Sequence, residues 1–321
     1  MEAQAELAQK YGIYGFCYYH YYFAHGKKLL EKPLEYMLHH PSVDIPFCLS
    51  WANENWTRRW DGGNNEVIIS QDYEDMENLD RHIDYLCEFF ADPRYIKENG
   101  KPFFIIYRPL IIPNFEARVN YIRERVSKNG FPGIVIAAQH PSYYDFDEDK
   151  VIVSGLDACI EFEHLFAGGV IAARNKRNIT RNPLKEAIKY ILDAMGVLKY
   201  IQELRRSMHS NSAPTYRLLD YDEMWQAIID FKHDDKRFIA GAFKDWDSTP
   251  RHAARAPIMT GATPEKFRKY MTRLIKKVRE EYTRPYIFLN AWNEWEEGSN
   301  IEPDERFGYQ YLEALRDALN S

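Results

Sequence analysis

Short, almost wholly apolar segments alternate along this chain with longer segments whose apolar residues recur at helical spacing, and that alternation limits the folds open to it more than any other feature. The apolar runs are 12–19, 45–51, 102–107, 133–139, 158–162, 238–243 and 286–290, rich in the β-branched and aromatic residues that favour strands. Helical patterns cover 1–10, about 28–39, 74–91, a stretch ending near 128, 264–281 and about 307–319. Strands that are apolar on both faces, each followed by a helix, specify a parallel sheet covered on both sides. Seven such strands are one fewer than a closed eight-stranded barrel needs. The chain opens on a helix, and a missing first strand would have preceded it. The expected fold class is therefore α/β, a TIM-type (β/α)8 barrel lacking its first β-strand. The competing arrangement is an open doubly wound sheet, but no Gly-rich phosphate turn follows the first strand. The stretch from about 165 to 235 is more irregular. No linker-like composition separates it, so it reads as an elaborated helical crossover within a single domain, 1–321.

Composition narrows the function. Aromatic residues make up 15% of the chain, including 23 Tyr and 7 Trp. Tyr and Trp carry polar groups that want partners, and a surplus of them suits a wet, concave site that stacks flat apolar faces such as those of sugars. The net charge of −6 and the absence of an extended basic stripe argue against nucleic acid. Cys17, Cys48, Cys87 and Cys159 form no CxxC pair and read as reduced thiols. No apolar stretch approaches the roughly 18 residues a membrane span requires, and no leader pattern opens the chain. The reading is a cytoplasmic protein with no transmembrane segment, taking an oligosaccharide or polysaccharide as substrate.

In a barrel the chemistry gathers at the carboxyl ends of the strands, and here every strand ends in polar or aromatic residues. They are Tyr19, His20 and Tyr21; Trp51, Asn53, Glu54 and Trp56; Tyr107 and Arg108; Gln139 and His140; Glu161, Glu163 and His164; Asp245, Trp246 and Asp247; and Asn293 with Glu294. The last exit is the most informative. Glu297 follows Glu294 by three residues, beside a glycine that permits a tight turn. Glycoside cleavage needs two carboxyl groups, one protonated to help the leaving oxygen depart and one ionised. Trp292 and Trp295 offer stacking faces for a sugar ring; an acidic surface turn with buried tryptophans is the plainer alternative. Asn53, Glu54 and Trp56 suit vicinal hydroxyls and a ring face. Arg58 and Arg59 either meet an anionic group or pair with Asp61 or Glu66 to clamp the loop. Asp247 and Arg251 read as site-wall groups. The Asp-x-Asp pattern of 245–247 also occurs at 145–147 and 220–222, so by itself it says little. His20, His140 and His164 read as hydrogen-bonded wall residues, with a metal centre alongside Glu163 as the alternative; no metal or cofactor is expected.

Asn293-Glu294-Trp295-Glu296-Glu297-Gly298-Ser299-Asn300-Ile301-Glu302 resembles the signature of glycoside hydrolase family 99, the endo-α-mannosidase and endo-α-mannanase barrels. Glu296 stands where that family has His. The 11–19 and 46–60 segments, Gly100-Lys101-Pro102, Tyr107-Arg108-Pro109 and Trp246-Asp247-Ser248-Thr249-Pro250-Arg251 resemble a related group, the WbsX-type proteins of bacterial polysaccharide loci, often called glycosyltransferases. The resemblance implies a retaining endo-glycosidase. Glu294 would act on the sugar's own 2-hydroxyl, and Glu297 would be the general acid/base. Tyr19, Tyr21, Trp51, Asn53, Glu54, Trp56, Tyr107, Glu163, Asp247, Arg251, Trp292 and Asn293 would line the sugar site. A glycosyltransferase of surface-polysaccharide assembly and a non-catalytic glycan-binding barrel are the alternatives.

Overall fold

A computed structural model describes residues 1–58, 66–140, 154–178, 216–233, 235–252 and 256–321. Seven parallel strands form the central sheet: β1 (Phe16–Tyr22), β2 (Phe47–Trp51), β3 (Lys101–Ile106), β4 (Val135–His140), β5 (Ala158–Glu161), β6 (Phe238–Phe243) and β7 (Ile287–Asn290). All seven fall within or across the expected runs. They pair in sequence order from β1 to β7, each with the next. A doubly wound sheet reverses its strand order at a switch point; this sheet does not.

The sheet curls. Phe103 of β3 lies 6.2 Å from Phe288 of β7, ring to ring, across the concave side. Gln139 of β4 reaches both Ser50 of β2, at 2.7 Å, and Tyr19 of β1, at 3.4 Å. Among the described residues β7 and β1 are not laddered to each other, so the expected closed barrel is here a curled, open sheet. Strand alternation sorts the side chains. Cys17, Tyr19, Ser50, Ile105, Ala137 and Gln139 face the concave side, and Leu49, Trp51, Phe104 and Ile106 face the helices.

The helices are α1 (Glu2–Lys10), α2 (Lys32–His39), α3 (Met76–Ala91), α4 (Phe115–Lys128), α5 (Leu165–Asn178), α6 (Tyr221–Asp230), α7 (Pro264–Glu281) and α8 (Gln310–Leu319). Their ends follow local chemistry. The Asp75 side chain accepts from the Asn78 N–H to start α3, and Asp220 does the same from Glu223 for α6. Thr263 caps α7 through the Lys266 N–H, with Pro264 at its first position. The α7 stripe Phe267, Met271, Leu274, Ile275 and Val278 is buried at i, i+3/i+4 spacing. The helical pattern near 28–39 is half right, because Lys28 and Leu29 form a short antiparallel strand against Tyr21 and Tyr22 before α2 begins. Of the 165–235 crossover, 179–215 and 234 lie outside the described residues. The rest comprises α5, α6 and a strand, Arg217–Asp220, laddered in parallel to Pro257–Thr260.

His20 does not point into the concave side. It faces outward and pairs with His82 of α3, ring nitrogen to ring nitrogen at 2.8 Å. His82 in turn stacks on Tyr22 with ring centroids 4.2 Å apart. Burial drives the His20 imidazole down to about 3, so the pair is neutral at ordinary pH. His20 is thus a core residue.

Gly241 shows how tightly β5 and β6 approach, since a Cβ there would lie 1.7 Å from the Glu161 carbonyl oxygen and 3.0 Å from the Glu163 Cγ. Gly241→Ala is expected to cost about 3 kcal/mol, the upper part of the overpacking range, read as a lower urea midpoint with an unchanged slope. An unshifted midpoint would show that β5 and β6 are not in the register described.

Candidate active site

Because all seven strands run the same way, their carboxyl ends form one rim. β7 delivers the Glu-rich segment to that rim, and the segment closes on itself. The Ala291 N–H donates to the Ser299 carbonyl at 3.0 Å, and the Ile301 N–H returns to the Ala291 carbonyl at 2.9 Å. Within the loop the Ser299 N–H donates to the Glu294 carbonyl at 3.1 Å and the Gly298 N–H to the Trp295 carbonyl at 3.2 Å. Ser299, Asn300 and Ile301 are buried and anchor the loop base, while Glu294 and Glu297 are half-buried. Gly298 has φ +63°, and a Cβ there would sit 3.3 Å from the Asp247 nitrogen. Glycine therefore serves both the left-handed turn and the close approach of β6. That approach carries a bond: the Asp247 N–H donates to the Glu297 carbonyl at 2.8 Å.

Further contacts hold the loop from behind. Lys244, buried at the end of β6, pairs with Asp304 at 3.1 Å. The Trp295 indole donates to Glu302 at 2.8 Å, and Gln4 of α1 donates to the other oxygen of Glu302 at 2.7 Å. Trp292 packs 5.2 Å from Phe16, ring to ring, against both core clusters. Trp295 and Asn293 are exposed.

Opposite this loop in chain order, the rim carries a run of aromatic rings. Trp56 meets Tyr21 at 5.4 Å, Tyr21 meets Tyr19 at 6.4 Å, Tyr19 meets Tyr107 at 6.0 Å and Tyr107 meets Phe162 at 5.9 Å. Tyr19 keeps 38% of its surface accessible through its ring. Its hydroxyl sits deep on the concave side beside Gln139, and lost hydration raises its pKa well above the ordinary tyrosine value. Gln139 is among the strand-end residues read from sequence, whereas Phe162 and Ser50 are not. The signal available was strand alternation, which sets Ser50 and Gln139 on the same face as Tyr19.

The Trp51–Trp56 segment is held largely by its own contacts. Trp51 is core: its indole donates to the Tyr22 carbonyl at 3.1 Å, and its ring meets His82. Asn53 is fully buried, donating to the Arg108 carbonyl at 2.9 Å and accepting from the Arg108 N–H at 2.8 Å. Glu54 pairs with the Arg108 guanidinium at 2.5 Å. Arg58 pairs with Glu66 at 2.9 Å, as a loop clamp requires; Arg59 and Asp61 lie outside the described residues. The Asp247 carboxylate accepts from the Thr249 N–H at 2.9 Å, capping the short helix Thr249–His252. The side chains of Arg251 and His140 and the 145–147 motif also lie outside the described residues. The 220–222 motif is structural: Asp220 caps α6, and Asp222 accepts from Lys266 and Tyr270, both at 2.6 Å. A small crevice behind the sheet, lined by Trp51, His82, Ile106 and Phe115 among others, lies on the convex side, away from this rim.

Glu163 follows β5 and is 1% exposed. One carboxyl oxygen accepts from the Ala167 N–H at 3.1 Å; the other has no hydrogen-bond partner among the described residues. Burial, then the neighbouring Glu161, push its pKa well above the ordinary 4.5. Its carbonyl accepts from the Asn290 side chain of β7 at 3.0 Å, which ties β5 to the base of the Glu loop.

A run of aromatic rings and a loop with two carboxyl groups at the carboxyl ends of one sheet suit a carbohydrate-active enzyme, and the comparisons with known proteins give a family of that class. The chain belongs to a family described as Glycosyltransferase WbsX, whose model matches residues 1–315. Two curated relatives, from two strains of Xanthomonas campestris pv. campestris, are each called "Uncharacterized protein WxcX" and are 31% identical over 99% of this chain. The chain spans 41% of their length. Among solved structures, a glycoside hydrolase-like protein is similar at TM-score 0.56 and 14% identity, over 98% of this chain and 84% of its own. The GH99 endo-α-mannosidase from Bacteroides thetaiotaomicron is similar at TM-score 0.53 and 12% identity, over 99% of this chain and 77% of its own. At those identities the likeness is one of fold. No helix among the described residues is long and apolar enough to cross a membrane.

The Glu163 environment makes stability depend on pH. Its folded pKa lies above its unfolded value, so between the two the unfolded chain holds fewer protons and stability falls as pH rises from about 4.5. Glu163→Gln removes that titration. The variant should be more stable than the parent at pH 8, with the advantage shrinking toward pH 4, as read from urea midpoints. A difference that does not change with pH would count against a neutral Glu163.

Proposed function

We propose that this chain is a retaining, endo-acting glycosidase of oligosaccharides or polysaccharides, built on seven strands of a (β/α)8 barrel, with Glu294 and Glu297 as its catalytic pair. The observation that carries this reading is the self-closed loop after β7, which holds two carboxyl side chains three residues apart on the same rim as a run of aromatic rings. Glycoside cleavage calls for one carboxylic acid to protonate the departing oxygen and a second carboxylate to assist at the sugar. Glu297 takes the first role and later returns as base to activate water. Glu294 takes the second, drawing the proton from the sugar's 2-hydroxyl. Tyr19, Tyr21, Trp56, Tyr107 and Trp292 supply ring faces, and Asn293, Glu54, Asp247, Arg251 and Glu163 supply polar contacts. Trp51 and Asn53 act by holding their loop against Tyr107 and Arg108. The fold likeness to the GH99 endo-α-mannosidase supports hydrolysis.

A second reading, transfer of a sugar in surface-polysaccharide assembly, is favoured by the description of the family itself. Incubation with mannose-containing oligosaccharides, followed by mass spectrometry, separates the two. Hydrolysis predicts products of lower mass, lost by roughly 10²–10⁴ in rate in Glu297→Gln, the scale of one general acid. Binding without cleavage, together with calorimetric binding of a nucleotide sugar, would support transfer instead. Oligosaccharide binding with no turnover under either condition would leave a glycan-binding barrel.

A further inference from the structure

β1 and β2 bring two cysteines together on the floor of the concave side. In the parallel ladder Cys17 stands directly opposite Cys48. Opposed residues of neighbouring strands point to the same face, and both thiols share the concave one with Tyr19 and Ser50. The two differ in access: Cys17 is exposed, whereas Cys48 is buried. A hydrogen bond with the Cys17 thiol, then burial, pushes Cys48 well above the ordinary thiol pKa. Neither of the remaining cysteines has such a neighbour. Cys159 is laddered to Ala138 and Phe238, and Cys87 lies on α3, where it accepts from the Asn129 amide at 3.3 Å.

Neighbouring strands lie about 4.8 Å apart, within the roughly 4.4–6.8 Å that a disulfide spans between Cα atoms. The Cβ atoms of a bridge must come within roughly 3.5–4.5 Å of each other, so side chains standing parallel on a ladder have to tilt together. A bridge made that way is strained, and strained disulfides are the easily reduced ones. The pair therefore suits opening and closing rather than a permanent staple. An accessible thiol beside a buried partner also fits reversible thiol oxidation, in which one sulfur meets the oxidant and the second displaces it. In the structure both are free thiols.

We infer that Cys17 and Cys48 are a reversible thiol–disulfide pair, oxidised by small-molecule disulfides of the glutathione class. The Cys17 sulfur, as thiolate, attacks one sulfur of the small disulfide. That S–S bond breaks, a thiolate leaves, and Cys17 carries a mixed disulfide. The Cys48 sulfur then attacks the Cys17 sulfur, and its proton passes to the second leaving thiolate. The small disulfide gains two electrons and ends as two thiols, and the protein dithiol supplies those electrons in becoming a disulfide. The bridge draws β1 toward β2 two residues before Tyr19 and Ser50, which Gln139 joins at 3.4 and 2.7 Å. Oxidation thus acts at the base of the aromatic rim. The inference does not rest on the proposed glycosidase activity.

Treating the folded protein with oxidised glutathione, then mapping its peptides by mass spectrometry without reduction, tests the pair. The expected product is a single chain whose Cys17 and Cys48 peptides are joined, with unchanged far-ultraviolet circular dichroism. Dithiothreitol should return both thiols. In Cys48→Ala the glutathione adduct on Cys17 should outlive that of the parent by at least about tenfold, because no thiol is placed to displace it. In Cys17→Ala, buried Cys48 should stay unmodified. A lasting Cys17 adduct in the parent, with no link to Cys48, would overturn the inference. So would a link between two chains, a link that forms only as the circular dichroism signal is lost, or a Cys17 that stays free. Linkage mapping on the parent decides the question even where a variant fails to fold, and carbohydrate turnover enters none of these criteria.

Discussion

The parallel ladder from β1 to β7 is the constraint on which everything else depends. Strands that all point one way deliver all their carboxyl ends to one rim, and in-order pairing makes that rim continuous. The curl then brings distant strands together: Phe103 meets Phe288, and Gln139 meets Tyr19 and Ser50. A flat sheet would spread the same residues along a line. Here Tyr19, Tyr107 and Phe162, far apart in sequence, form neighbouring rings.

Polar contacts between side chains and loops fix the rim. Lys244 with Asp304 and Asn53 with Arg108 each tie a loop to a neighbouring strand end, and Asn290 with Glu163 ties β7 to the segment after β5, two strands away. Buried groups of this kind are costly unless fully partnered, and in exchange they fix orientation, as a site built on strand ends needs. The Glu294–Glu297 loop adds its own backbone bonds and the close contact at Gly298. Glu163 is one exception, a carboxyl group held in low-dielectric surroundings with one oxygen unmatched among the described residues.

The strands and the long amphipathic helices were legible because each is decided locally. The 264–281 helix is predicted to the residue, since its Thr cap, its Pro and its apolar stripe all agree. Lys28 and Leu29 were misread as helix because their pairing with Tyr21 and Tyr22 is not visible in local composition. Trp51 and Asn53 illustrate a limit of another kind. Their residue types fit a sugar site, yet the outward register of β2 turns Trp51 to α3, and Arg108 takes up Asn53. The same holds for His20, which ends a strand as a site residue would but faces His82.

By itself the sequence determined the class of fold, the position of the carboxylate loop and the family, because period, turn residues and a run of specific side chains are properties of neighbouring residues. Tertiary structure decided which strand-end residues share the concave face, which are locked in clamps, and that among the described residues the sheet is open between β7 and β1. Those outcomes depend on register, set by ladders between strands tens of residues apart, and on curl, which joins residues more than a hundred positions apart. Tyr19 and Gln139 are one such pair. No window of sequence contains both partners, and only the folded chain brings them within reach.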